Sequence, residues 1–259
     1  MPETMSHASN AGSSSTCTPT PCASGSLDAI PRPRVAAPSL RPHRFRSRIG
    51  IGLAGGFYPA PHRYQLYLSA GCPLSLRVSI TLDLLGLRDS VATSTLVCPA
   101  DTPDTLASLR RAYEATWHHY DGPLTAPALC DRWSGRVVSN HTPDILRDLA
   151  GLLSGRDESC VHSLRAPALA ADIDALRDLL EQDLAPTARP EDRSAALDLL
   201  ERQLASAPYV LGNELTAADV DLWVALLHLD PADALAPYAN LSQYVRRLDA
   251  HPAFAPHRG

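Results

Sequence analysis

The chain of 259 residues contains no lysine, and all 23 of its basic residues are arginine. Schiff-base chemistry and any other mechanism that needs a lysine amine are therefore excluded. The bias accompanies abundant Ala and Pro and reflects a GC-rich coding sequence, not a binding surface. No apolar run approaches the roughly 18 residues that cross a bilayer. Residues 1–22 lack the apolar core of a secretory signal. Positive charge is not in excess: the formal net charge is -5, whereas a nucleic-acid protein needs a basic surface to meet phosphate. Cysteines number 6, too few and too scattered for a disulfide scaffold. There is no CxxC, no paired CxxH and no HExxH, so no metal is expected. The expected compartment is a reducing cytoplasm, with the cysteines as free thiols or catalysts.

What is present divides into three parts. Residues 1–40 are rich in Ser, Thr, Pro and Ala and read as a disordered tail, with Cys17 and Cys22 inside it. An α/β domain is expected over 41–154 and an all-helical domain over 155–259. An arginine-rich stretch at 41–48 leads into a loop, Gly55-Gly56-Phe57-Tyr58-Pro59. Residues 64–69, Tyr-Gln-Leu-Tyr-Leu-Ser, alternate as a strand does. Gly71-Cys72-Pro73 breaks that strand, and 74–85 reads as a helix stopped by Gly86. Pro73 suits a first helical turn, where its missing N–H would be unpaired anyway. A second strand follows at 91–97 and an amphipathic helix at 105–119. Segments 128–131 and 136–138 pair as a hairpin around Trp133-Ser134-Gly135. Thr142-Pro143-Asp144 then opens another helix, with the threonine hydroxyl as its cap. The order is βαβ, α, ββα. Past Ser154 only helical periodicity remains, at 164–184, 191–205, 217–229 and 241–248. Thr216-Ala217-Ala218-Asp219 has capping-box spacing in front of a buried helix that carries Trp223 as a core residue.

Cys72 is the leading candidate for chemistry. A cysteine at a helix N-terminus feels the positive end of the macrodipole and nearby free amides, which favours its thiolate. Such a thiolate attacks a disulfide or thioether sulfur and forms a mixed disulfide. Arg77, more than a turn further on, assists it or forms a salt bridge. Asn140, His141 and Thr142 stand where a helix N-terminus would favour a ligand carboxylate. Tyr113, Trp117 and Tyr120 are candidates for an acceptor cleft. Cys130 lies in a strand and reads as a small buried hydrophobe, and Cys98 and Cys160 call for no chemistry. His118 and His119 are neighbours on a helix, point apart and face solvent.

Taken in order, these features resemble a glutathione transferase: a thioredoxin-like βαβ-α-ββα domain with Cys-Pro at its first helix, joined to a helical C-terminal domain. The resemblance is closer to the glutathionyl-hydroquinone reductases, or Xi class. Phe57-Tyr58-Pro59, Arg63-Tyr64-Gln65-Leu66-Tyr67-Leu68 and Cys72-Pro73 with Arg77 are similar to that class's Arg-Tyr-His-Leu-Tyr-Val and Cys-Pro-Trp-Ala-His-Arg. Thr125-Ala126-Pro127-Ala128-Leu129 with Val138-Ser139-Asn140 resembles its Val-Pro-Val-Leu and Val-Asn-Asn-Glu-Ser. Leu211-Gly212-Asn213-Glu214-Leu215-Thr216-Ala217-Ala218-Asp219 resembles its Leu-x-Gly-Asp-x-Leu-Thr-x-Ala-Asp. The likeness runs over about residues 45–256.

The resemblance implies that Cys72 is the nucleophile. It also implies that Pro127 is a cis-proline presenting the backbone of Ala126 to the cysteinyl part of a thiol. Asn140, His141 and Thr142 would then hold that thiol's other end. Three departures stand out. Trp-Ala-His has become Leu74-Ser75-Leu76. The Glu-Ser pair that holds the γ-glutamyl end aligns with His141-Thr142. The insert after the second strand and the quinone-pocket tyrosines have no counterparts, so hydroquinone substrates are not implied. A histidine supplies no permanent negative charge for an ammonium. The cosubstrate is therefore glutathione at a weakened site, or a thiol without an ammonium, such as mycothiol.

The function implied is that of a thiol-dependent transferase or reductase acting on an electrophilic or thioether-bearing small molecule, such as a secondary metabolite. The alternatives are a conjugating enzyme that does not use Cys72, and a non-catalytic ligand- or partner-binding member. No nucleic acid or membrane is expected as partner, and a homodimer is compatible with the family.

Overall fold

Leu66 and Leu68 face one side of a strand and Tyr67 the other, and all three are buried. A strand apolar on both faces belongs in the middle of a covered sheet. That strand is β1 (Tyr64–Ser69). In the computed structural model it lies between parallel β2 (Ala92–Leu96) and antiparallel β3 (Ala128–Asp131), with β4 (Arg136–Ser139) outermost, in the order β2-β1-β3-β4. The structure describes residues 44–50, 56–97, 103–153, 164–229 and 234–257. The expected tail, with Cys17 and Cys22, lies outside these residues, as do Cys98 and Cys160.

Helices cover both faces of the sheet. On one, α1 (Pro73–Leu84) and α3 (Thr142–Asp148) pack with Leu66, Leu68, Val138 and Ile145. On the other, α2 (Pro103–Thr116) packs Leu109, Ala112 and Tyr113 against Tyr67, Ala128 and Val137. Past β4, an extended segment before β1 bridges antiparallel to the edge, with Arg46 opposite Ser139. This strap covers what would otherwise be an open sheet edge. Two ion pairs fasten it: Arg46 donates to Asp144 at 2.8 Å and Arg48 to Asp148 at 2.7 Å.

The helical domain comprises α4 (Ala170–Asp183), α5 (Pro190–Leu204), α6 (Ala217–Leu227) and α7 (Ala239–Asp249). Trp223 is 1% exposed at its centre, and its indole N–H donates to Asp249 at 3.0 Å. The capping box opens α6 as expected. Asp219 accepts from the Thr216 N–H at 2.8 Å and from its hydroxyl at 3.0 Å. It also accepts from the Val210 N–H and the Tyr244 hydroxyl.

Three expectations about helices need correction. The helix expected from residue 164 begins as a 3-10 turn, Pro167–Leu169, and is α-helical only from Ala170. The proline forces Ala166 out of the helical region, to ψ 137°. Thr142 is not a cap; it occupies the first helical position and His141 the cap position. α2 ends at Thr116, and His119 turns to a positive φ of 56°. His118 and His119 are exposed as expected, but they do not point apart, because the helix has ended before them. Their ring centroids lie 3.9 Å from each other.

Candidate functional site

The chain leaves β1 at Ser69 and reverses through Gly71, whose φ of 70° costs a glycine little. Cys72 then caps α1 in an extended conformation, and its carbonyl accepts the Leu76 N–H at 2.9 Å. Ser75, one turn in, is buried and accepts the Ser69 N–H at 2.9 Å, which pins the turn to the strand. Cys72 itself is 3% exposed.

The pairing of Tyr67 with Ala128 sets the other wall. It brings the residues just before β3 alongside the end of β1, next to the turn that ends at Cys72. Those residues are Ala126 and Pro127, and the peptide bond between them is cis. Beyond β4, His141 and Thr142 begin α3 at the same end of the sheet. Cys72, Ala126, Pro127, His141 and Thr142 thus share the C-terminal end of β1.

Charge at this end is already paired. The Asp144 carboxylate is 3% exposed and receives Arg46 Nε at 2.8 Å, with His141 Nδ1 3.0 Å away and Arg147 Nη1 3.4 Å away. Burial works against ionisation of Asp144. The hydrogen bonds and charge of Arg46 and His141 outweigh it and hold the carboxyl below its usual range. Burial also lowers the His141 pKa below its usual value; Asp144 opposes that shift and Arg46 reinforces it. At neutral pH the imidazole is therefore uncharged.

The remaining sequence candidates are placed elsewhere. The Asn140 side chain is consumed by structure: its oxygen accepts the Phe45 N–H at 2.8 Å, and its amide donates to Tyr113 at 3.2 Å and Thr125 at 3.1 Å. It ties the strap to α2 and leaves a thiol little to bind. Tyr113 (0% exposed) and Tyr120 (5%) lie in the core beneath α2, with their hydroxyls on Thr125 and Pro123. They do not line an open cleft. Trp117 is exposed, but it follows Thr116, whose hydroxyl accepts from Val137 near the start of β4. That is the opposite end of the sheet from Cys72. Cys130 is buried, and burial pushes its thiol up to about 12, so it is not ionised at neutral pH.

Sequence reasoning missed the two acids that anchor the strap. A signal existed, since Arg46 and Arg48 alternate on an extended segment while Asp144 and Asp148 stack four apart on a helix.

Comparison with known proteins bears on this geometry. Residues 191–247 match the glutathione S-transferase C-terminal domain. The chain is 28% identical over 246 residues to the glutathionyl-hydroquinone reductase YqjG of Escherichia coli, covering 78% of this chain and 73% of that protein. It is 28% identical over 252 residues to the glutathionyl-hydroquinone reductase PcpF of Sphingobium chlorophenolicum, covering 82% and 80%. Among solved structures, the glutathione S-transferase Xi of Phanerochaete chrysosporium superposes with a TM-score of 0.67 at 26% identity, covering 85% of this chain and 89% of that one. The glutathione-bound structure of YqjG gives a TM-score of 0.67 at 26% identity, covering 83% and 84%.

The fold is of the glutathione-transferase type, a thioredoxin-like domain followed by a helical one. Within that fold, the chain is similar to proteins of the Xi class, from which it diverges.

Proposed function

We propose that the chain is a thiol-dependent transferase or reductase that uses Cys72 as nucleophile and a low-molecular-weight thiol as cosubstrate. The observation that carries the reading is that Cys72, at the start of α1, and the Ala126–Pro127 segment before β3 lie at the same end of β1. The names of the relatives, which are glutathionyl-hydroquinone reductases and glutathione transferases, support the thiol dependence.

In the first step the Cys72 thiolate attacks the thiol-derived sulfur of an adduct between the cosubstrate and an acceptor. The sulfur–acceptor bond breaks, the acceptor leaves with the electron pair and takes up a proton, and Cys72 is left in a mixed disulfide. In the second step a thiolate of the cosubstrate attacks the cosubstrate's sulfur in that disulfide. A symmetrical disulfide leaves and the Cys72 thiolate is restored. Overall, one adduct and one thiol give one disulfide and one reduced acceptor.

Ala126 offers its backbone to the cysteinyl part of the thiol, and Thr142 and the neighbouring amides receive its far end. Among the described residues, the carboxylate at this end, Asp144, is already held by Arg46 and His141 and so is not free for an ammonium. The cosubstrate is therefore glutathione bound weakly, or a thiol without an ammonium, such as mycothiol. The test is turnover of the mixed disulfide of glutathione and mercaptoethanol, with glutathione or mycothiol as second thiol. Cys72→Ser should abolish it. The swap is nearly isosteric, so stability should fall by less than about 1.5 kcal/mol. A Cys72→Ser protein with full turnover would end the nucleophile reading.

A further inference from the structure

Arg77 lies on α1 five residues beyond Cys72 and is 8% exposed. A guanidinium that deep needs a partner, and its partner belongs to the other domain. Nε of Arg77 lies 3.4 Å from Asp221 Oδ1 on α6, and Nη1 lies 3.6 Å from Glu181 on α4. Asp221 is 1% exposed, and its second oxygen receives Arg177 of α4 twice, at 2.9 and 2.7 Å. Arg177 also donates to Asp174, which takes a 2.6 Å bond from Arg165 and has Arg147 of α3 at 3.9 Å. Arg147 in turn faces Asp144, beside His141. One run of alternating charge therefore links α1, which carries Cys72, through α6 and α4 to α3, which carries Thr142.

The contact is unequal at its two ends. Arg177 holds Asp221 with well-formed bonds, so the carboxylate is fixed to the helical domain. Arg77 Nε is buried without a well-aligned hydrogen bond, so its tie to Asp221 is chiefly one of charge. Loss of the Arg77 guanidinium leaves Asp221 held by Arg177 and α6 in place, but removes the ionic ties of α1 to both Asp221 and Glu181.

We propose that Asp221 is a positioning residue for Cys72, which it holds from the helical domain through Arg77 and α1. The proposal rests on the reading of Cys72 as the reactive thiol. Its test, however, reads the thiol itself and not turnover, so the two can fail separately.

The variants are Arg77→Gln, which leaves Asp221 paired with Arg177 and should fold, Asp221→Asn, and the double variant. Each folded protein is treated with iodoacetamide at neutral pH, digested with trypsin and mapped. Cleavage at arginine isolates Cys72 on the peptide 64–77, or 64–88 in the Arg77 variants, and Cys130 on the peptide 112–132. Cys130 is the internal control: it lies inside β3, and burial pushes its thiol up to about 12, so it stays unreactive at neutral pH while the domain is closed.

In Arg77→Gln the Cys72 rate should change by about fivefold or more, the scale of coupling within one ion-pair network, while the Cys130 rate stays put. Asp221→Asn, where it folds, should change it by the same factor, and the double variant should add nothing. In the mixed-disulfide assay kcat should fall by on the order of tenfold with KM for the thiol unchanged. A Cys72 rate equal to that of the unaltered protein in Arg77→Gln would overturn the proposal. So would Cys72 and Cys130 rates that rise together, which would mark the cluster as structural only. Turnover retained in Cys72→Ser would instead sink the nucleophile reading and leave the alkylation result standing.

Discussion

Replacing His141 by glutamate should tighten glutathione binding. The side chain sits at the cap of α3 with 22% of its surface exposed, 3.0 Å from Asp144. The neutral imidazole offers no charge to the γ-glutamyl ammonium, and Asp144 cannot stand in, since Arg46 and Arg147 face it as well. A hydrogen bond between charged groups contributes about 1.5–3 kcal/mol. Two features push the gain to the low end of that range. The position is partly open to water, which screens the pair. The new carboxylate would also stand beside Asp144, although the arginines there offset most of that repulsion. A gain of about 1.4 kcal/mol is tenfold in affinity. The unaltered protein should bind glutathione only at about millimolar Kd.

Calorimetry at pH 7.5 with two ligands decides the matter. One is glutathione; the other is glutaryl-cysteinylglycine, the same tripeptide shape without the ammonium. The variant should gain with the first and not with the second. No gain, or an equal gain with both, would refute the placement of the ammonium at residue 141. Tight binding of glutathione by the unaltered protein would do the same.

Two further outcomes follow from the geometry. Asn140→Ala removes bonds to Phe45, Tyr113 and Thr125, so it should destabilise by about 1–3 kcal/mol and lower the melting temperature. The KM for thiol should not move, and a raised KM with unchanged melting would return Asn140 to the thiol site. Burial disfavours the charge on Asp131, but bonds from Arg63, Ser134 and the Trp133 amide outweigh it and hold the folded pKa below 3.8. A carboxyl lowered on folding adds stability above its unfolded pKa and loses it as pH falls through the folded one. The stability gap between the unaltered protein and Asp131→Asn should therefore be full at pH 7 and narrow below about pH 4. A gap that holds constant to pH 2 would show that the Arg63 pair does not set it.

The elements that could be read locally were those whose signals are local. β1 alternates, Gly71 and Gly86 bracket α1, and Thr216 and Asp219 announce α6. The order βαβ-α-ββα and the helical second half followed from these. The strap did not, because its partners lie 95 to 100 residues away and pairing at that distance leaves no periodicity. The chemistry of Tyr113 suggests a cleft. Yet Leu109, Ala112 and Tyr113 fall at the three- and four-residue spacing of a buried helical face, so its place in the core was open to inspection. Asn140 shows another limit of local reading: a residue next to a candidate binding position can have its side chain committed to holding the backbone around it, and only the fold shows which.

Helix α1 shows how composition foretells the coupling between the domains. Leu76, Ile80 and Leu84 repeat every four residues and pack with the helical domain. Val78 and Leu82 repeat on the opposite side and pack with the sheet. The residues between them, Ser75, Ser79 and Thr81, are small and buried. A helix with apolar rows on two opposite sides must be covered on both. The wall that carries Cys72 is therefore shared by both cores. Where the Xi-class motif has a histidine, this chain has Leu76, which joins the helical core. The substitution exchanges a polar group near the thiol for apolar contact between domains. A core substitution in the helical domain at Ile80's neighbours should thus reach Cys72 through α1, while an equal change beneath α2, across the sheet, should not.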